Sequence, residues 1–300
     1  MKDGMSEYER RAIAEIHEWK TPNITWLGHA MRAVDWPLSK ATDWVLERET
    51  IGEAIRKAVS GVVGVCNDAA HWSIRRDAIY EEFRNAGHIV VEPSDLTELR
   101  LEDIDKVVGF LDAKYKSLAA AEGAATGVAG LPGIVVDLPA LVTLNLRAIG
   151  EYATYYGFDV TLQQERLFAM NVLGLASSPK DSAKQVAMAE LVRIARDVAM
   201  KKTWATLEEH AFVQVVQQIA RAVGIRLTKA KLAQVVPVFG AVVGSGFNAY
   251  YTARVCDAAY NLYRERLLAE RYGPDAIEMT VQPPPNVGVR YEETDEDIPW

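Results

Sequence analysis

Apolar residues recur every three to four positions along most of the 300-residue chain, and no alternating apolar and polar run is long enough to predict a sheet. The pattern predicts helices. HIVVEP at 88–93 is the one short β-like piece. Caps and breakers set the boundaries. A first helix over 5–20 closes at Thr21-Pro22, and Pro37 opens another at a first-turn position where its missing N–H is no loss. Ser73 is placed to cap a helix ending near Gly87. Leu101, Ile104, Val107, Val108 and Leu111 share one face of a longer helix predicted over 101–121. Asp137, two residues before Pro139, reads as the N-cap of a helix that ends at Gly157. SPKD at 178–181 supplies cap, first-turn proline and acid for a helix reaching Met200. Thr203 and Thr228 cap the next two, and the last runs over 240–272 to stop at Gly273-Pro274.

Eight to ten helices with short connections predict an all-α multi-helix bundle with glycine-rich apolar hairpins. Its organisation reads as N-terminal helices over 1–49, a helical core over 50–273 and an acidic, proline-containing tail over 274–300. Segments 131–156 and 236–263 share a loose plan of Pro and Gly in an apolar run, then an Arg, then tyrosines.

Three uncharged segments stand out, of ten residues between Lys57 and Asp68, fourteen between Glu122 and Asp137, and twenty-two between Lys231 and Arg254. As one helix the last would be about 33 Å long, enough for a hydrocarbon core of about 30 Å. Pro237 divides it, and bases flank it on both sides (Arg226, Lys229 and Lys231 before; Arg254, Arg264 and Arg266 after), where a single span shows basic asymmetry. A transmembrane helix, a buried core hairpin and a reversible interfacial insertion are the three readings. Small residues four apart (Ser60 and Gly64, Gly123 and Gly127, Gly240 and Gly244) predict close helix pairing in either setting. Leu131, Pro132, Ile134 and Val135 in the first hairpin, with Pro237, Val238, Phe239 and Phe247 in the second, are the candidate contacts to membrane or ligand.

Charge refines this picture. The total of −8 is concentrated in 275–300, where seven acids face Arg290 alone and the net is −6, leaving −2 for the body. A body without a concentrated basic face excludes a general nucleic-acid binder. Arg221, Arg226, Lys229 and Lys231 lie in a stretch with four bases and no acid, either a headgroup-binding rim beside an apolar hairpin or a solvated helix end. The acidic tail is of opposite sign and is able to mask such a rim. Within the apolar frame, Asp137, Arg147, Glu151, Asn248 and Arg254 are candidate buried polar groups. Asp137 reads as a cap or as a protonatable group in apolar surroundings. Arg147 and Glu151, four apart, are spaced to pair, as are Arg254 and Asp257, three apart. Asn248 either bridges helices or faces a neighbouring backbone.

Apolar residues make up 49% and charged residues 25%, an ordinary globular composition. Cys66 and Cys256 sit in apolar helical patterns and read as buried free thiols in a reducing, cytoplasmic setting. Charges alternate through 1–20, unlike a secretory signal. The five histidines have no ligand spacing, and neither a phosphate loop, GxGxxG after a strand, nor GxSxG occurs. No metal, cofactor or catalytic residue is implied, although carboxylates in a helical core leave no motif of their own.

GLPGIVVDLPALVTLNLRAIGEYATYYGFD at 130–159 and VPVFGAVVGSGFNAYYTARVCDAAYNLYRER at 236–266 resemble the two characteristic segments of the EcsC family, with the resemblance spanning about 50–272. What the resemblance implies is a helical, mainly bacterial protein linked to membranes or transport, with a membrane transporter as a possible partner and no catalytic residue to carry over. Similar hairpins occur in domains appended to GTPases. The expected function is therefore peripheral docking on the cytoplasmic face of the inner membrane, with anionic lipid as partner. A soluble carrier of an apolar ligand and an enzyme with a carboxylate site are the alternatives.

Overall fold

The protein is described by a computed structural model covering residues 4–20, 49–68, 74–127, 130–177, 209–235 and 244–273. Ten helices lie among these residues, and no strand. They are α1 (Glu7–Lys20), α2 (Glu49–Asn67), α3 (Arg76–Asn85), α4 (Pro93–Glu98), α5 (Leu101–Val108), α6 (Leu111–Gly127), α7 (Gly130–Tyr155), α8 (Gln163–Ala176), α9 (Glu209–Val235) and α10 (Gly244–Tyr272). The all-α expectation holds. The β-like piece is extended chain without a partner strand: Val90 is fully buried while Ile89 and Val91 point outward. It ends in a capping box in which the Val91 and Glu92 N–H groups donate to Asp95.

Several boundaries differ from the sequence reading, each for a local reason. The helix expected over 101–121 breaks at Gly109, whose φ of 49° a side chain resists, so the apolar periodicity continues across two helices. Thr228 lies inside α9 and donates to the Gly224 carbonyl instead of capping a helix. Asp137 is not an N-cap. α7 begins at Gly130 and runs through both Asp137 and Pro139. The proline is accommodated because its ring lies against Gly61 of α2, where an added Cβ would stand 2.6 Å from Pro139 Cγ. The far end of α7 is as expected, with Gly157 at φ +87° and the Phe158 N–H returning to the Ala153 carbonyl. Pro37, Ser73, Thr203, the helix expected over 178–200 and the tail lie outside the described residues.

The α6/α7 hairpin and α10, which packs along both of its helices, form the centre. α6 packs on α10 through Gly123, and α7 meets α9 through Asp137. α2 seats against α7 and α9, with Gly61 on Pro139 and Gly224 of α9 on Val59. α8 crosses the other side, placing Phe168 against Tyr263 of α10. Between them lies the core, including Leu138, Leu141, Leu146, Ile149, Val223, Val255 and Leu262. Cys66 and Cys256 are buried in it as free thiols, and burial pushes each up to about 12.

This packing changes the meaning of the most apolar helix. Gly133–Tyr155 is the one described stretch long and apolar enough to cross a membrane, yet most of it is buried inside the protein, as a core helix would be. Arg264 and Arg266, counted in sequence among the flanking bases, are likewise buried. Arg266 is buried in a two-pronged pair with Glu165, at 2.6 and 2.8 Å, and its guanidinium lies over the rings of Phe158 and Phe168. Arg264 reaches Asp105 at 3.0 Å and Glu15 at 3.1 Å.

Candidate functional site

Among the described residues, parts of the second and third uncharged segments come together at one pole of the bundle. α6 ends there at Gly127 and α7 starts at Gly130; α9 ends there at Val235 and α10 starts at Gly244. Close contacts between the four helices fix this convergence. Gly123 lies so near α10 that an added Cβ would stand 3.0 to 3.2 Å from the Asn248 side chain. The Asn248 amide donates to Asp137 Oδ1 at 3.0 Å, and Lys231 forms an ion pair with Asp137 Oδ2. Each helix thus supplies one residue within two turns of its end.

The cluster is buried. Asp137 and Asn248 are 1% and 0% exposed, and Lys231 is 7% exposed with its ammonium 5.6 Å from the centre of the Phe247 ring. Burial brings the Lys231 amine down to about 8 against the opposing pull of Glu122 on α6, so it remains protonated at neutral pH. Burial in turn raises Glu122, with Lys231 opposing. The arrangement joins the Lys231 ammonium and the Asp137 carboxylate with an amide and an aromatic ring, with Glu122 acting electrostatically. Chemically it suits reversible ion pairing. Among the described residues no group of three or more His, Cys, Asp or Glu is placed to hold a metal ion.

The positions expected from sequence divide. Asp137, Glu151 and Asn248 are buried polar groups as expected, and Asn248 bridges helices instead of facing backbone. Arg147 and Arg254 are only half-buried. Arg147 pairs with Glu151 at 3.6 Å, but Glu151 is met more closely by Lys114, at 2.7 Å. Lys231 faces Asp137 in the interior and is not a surface group for headgroups; Arg221 is exposed and Arg226 half-buried. Ile134 belongs to the core, whereas Val135 and Phe247 are half-buried. The side chains of Leu131, Pro132 and Lys229, and residues Pro237, Val238 and Phe239, lie outside what is described. Two residues went unforeseen. Val136 is 67% exposed at the pole, and Glu122, adjoining Gly123 at the edge of the apolar stretch, interacts electrostatically with Lys231.

The sequence model of the EcsC protein family matches residues 10–268. The chain belongs to the EcsC family. The match takes in α1, earlier than the residue 50 at which the sequence resemblance was drawn. This EcsC-family chain is 28% identical over 186 residues to Protein EcsC of Bacillus subtilis (strain 168), covering 62% of this chain and 73% of that protein. It is 26% identical over 185 residues to Uncharacterized protein YdbA of the same organism, covering 62% of this chain and 65%, just under two thirds, of YdbA. No solved structure matches.

Proposed function

We propose that this EcsC-family protein docks peripherally on the cytoplasmic face of a membrane by its glycine-rich pole. One observation supports the reading: the described parts of two uncharged segments, 123–127 with 130–136 and 232–235 with 244–253, lie toward the same end of the bundle, with Val136 exposed beside a buried, neutralised ion pair. A pole of this kind has apolar surface to place against acyl chains without dragging an unpaired charge into them. Shallow burial of 5–10 Å is the typical depth for such elements. Arg226, nine residues before Val235, then stands about 14 Å from the end of α9, near the level of headgroup phosphates. The exposed Arg221, one further turn and more away, adds long-range attraction to an anionic surface.

Flotation of the full chain with phosphatidylglycerol-containing and phosphatidylcholine vesicles tests this. Recovery with the anionic vesicles is expected to exceed that with the neutral ones. Val136→Glu removes an apolar group whose burial is worth about 1.5 kcal/mol, about tenfold in partitioning. Equal and negligible flotation of wild type with both vesicle types refutes docking.

A further inference from the structure

We propose that the membrane contact runs along the outer face of the α6/α7 hairpin, from Val136 at the pole to Lys114 and Arg147, and that these two cations take the phosphate of an anionic lipid headgroup. The proposal rests on the docking reading and adds the face that lies on the membrane and the residues that bind the headgroup.

The outer positions of the hairpin follow the helical period. On α6 they are Leu118, Ala121 and Ala125, all exposed; on α7 they are the exposed Val136 and the half-buried Ala140 and Leu144. A helix face open to water ordinarily carries charge, but these positions carry none. The two acids in the same stretches are engaged with α9: Asp137 is buried in its ion pair with Lys231, and the half-buried Glu122 interacts electrostatically with the same amine. The hydroxyls beside the strip are satisfied within their own helices. Ser117 donates to the Ala113 carbonyl at 2.8 Å and Thr143 to the Pro139 carbonyl at 2.9 Å. Neither needs water as a partner, which is the condition a polar group has to meet in lipid.

Charge decides between this face and the other exposed apolar residues. Ile89, Val91 and Phe110 are more exposed than Val136, but they lie in 88–110, where six acids face two bases and the net of −4 is repelled by an anionic surface. The hairpin face ends instead in Lys114 and Arg147, which share the Glu151 carboxylate at 2.7 and 3.6 Å. Two cations on one carboxylate leave a positive charge uncompensated, and both side chains are roughly half exposed. A lysine has three N–H donors and an arginine five, so a phosphate oxygen can be bonded while Glu151 is kept.

The distances set the orientation. Arg147 is eleven residues from Val136, about 17 Å along α7. Upright insertion to about 5–10 Å, under a headgroup layer of about 5–8 Å, leaves Arg147 at or beyond the outer limit of that layer. Leaning the bundle onto this face lowers Arg147 and Lys114 to the phosphates and brings Leu118 and Ala125 against acyl chains.

An environment-sensitive nitrobenzoxadiazole dye on the full chain tests the face, attached in turn through Leu118→Cys, Ala125→Cys, Val136→Cys, Ile89→Cys and Phe110→Cys. Cys66 and Cys256 are buried, so labelling of the folded protein passes them over. With phosphatidylglycerol vesicles the emission is expected to move to the blue at 118, 125 and 136 and to stay unchanged at 89 and 110. A shift at 136 alone, or one that includes 89 or 110, overturns the face while leaving docking in place. Failure of wild type to float is the distinct failure of docking, and this proposal falls with it. Arg147→Gln tests the headgroup, because Glu151 keeps its closer partner Lys114. It is expected to lower the preference for phosphatidylglycerol over phosphatidylcholine vesicles about fivefold, the worth of one basic residue near an anionic surface, with Arg147→Lys retaining it. An unchanged preference overturns the headgroup assignment.

Discussion

The two ends of α10 are held by opposite means. Its C-terminal half carries Arg264, Glu265, Arg266 and Arg271, and each is tied to another element: Asp105 of α5 and Glu15 of α1, Lys20 of α1, Glu165 of α8, and Glu9 of α1. Its N-terminal turns carry no charge, and their polar ties include the Asn248 amide on Asp137, seated against a glycine, and the Tyr251 hydroxyl on Ser177. At the first end planar guanidiniums meet carboxylates, with aromatic rings over Arg264 and Arg266, geometry that leaves few alternatives. At the second, a flexible ammonium meets one carboxylate. The charged end is held by paired charges, and the uncharged end by close helix packing around a single buried pair.

The largest test of that contrast is Arg266→Met, which strands the buried Glu165 and is expected to lower unfolding free energy by about 3–5 kcal/mol in urea titration. Adding Glu165→Met should recover most of the loss; no recovery would mean the pair is not the source. Lys231→Met at the other pole is expected to lose less, about 1–3 kcal/mol, because Asp137 keeps the Asn248 amide. A loss equal to that of Arg266→Met would erase the distinction between the ends. Acid sharpens it next. Glu9 sits below its ordinary 4.5, since although burial raises it, hydrogen bonds from Ser6 and Tyr272 and the charge of Arg271 lower it further. Its stabilising contribution is therefore complete above pH 4.5 and lost as pH falls through the lower folded value. Amide exchange should show α1 loosening in that range, and Glu9→Gln should lose this pH dependence. Smallest of all, Val136→Glu is expected to leave stability within about 0.5 kcal/mol of wild type, so that its effect on flotation reports docking alone.

How much of this was legible in sequence depended on whether the cause was local. The stops at Gly157 and Gly273 were readable because positive φ favours glycine whatever surrounds it. Asn248 and Asp137 were visible as polar residues in apolar runs, but their meeting across 111 positions was not. Asp137 looked like a cap because proline two residues on is a first-turn signal, and only the notch at Gly61 on another helix lets that proline sit within α7. Arg264 and Arg266 looked like charged flanks for a similar reason: their partners lie 101 to 249 residues away, and burial is decided by packing that periodicity does not report. Gly64 was favoured as the close-packing glycine of α2, yet an added Cβ there meets nothing within 4 Å, and Gly61 makes the contact.

The proline ring on α7 occupies the space that a side chain at position 61 would need. The two positions therefore form a single unit of choice for evolution. A relative that places alanine or anything larger at the equivalent of Gly61 has to give up the proline or move α2 outward, and one that replaces Pro139 gains room to fill. Among relatives of this chain the two sites are expected to change together, and a set of sequences in which they vary independently would show that the notch is not a shared feature of the family.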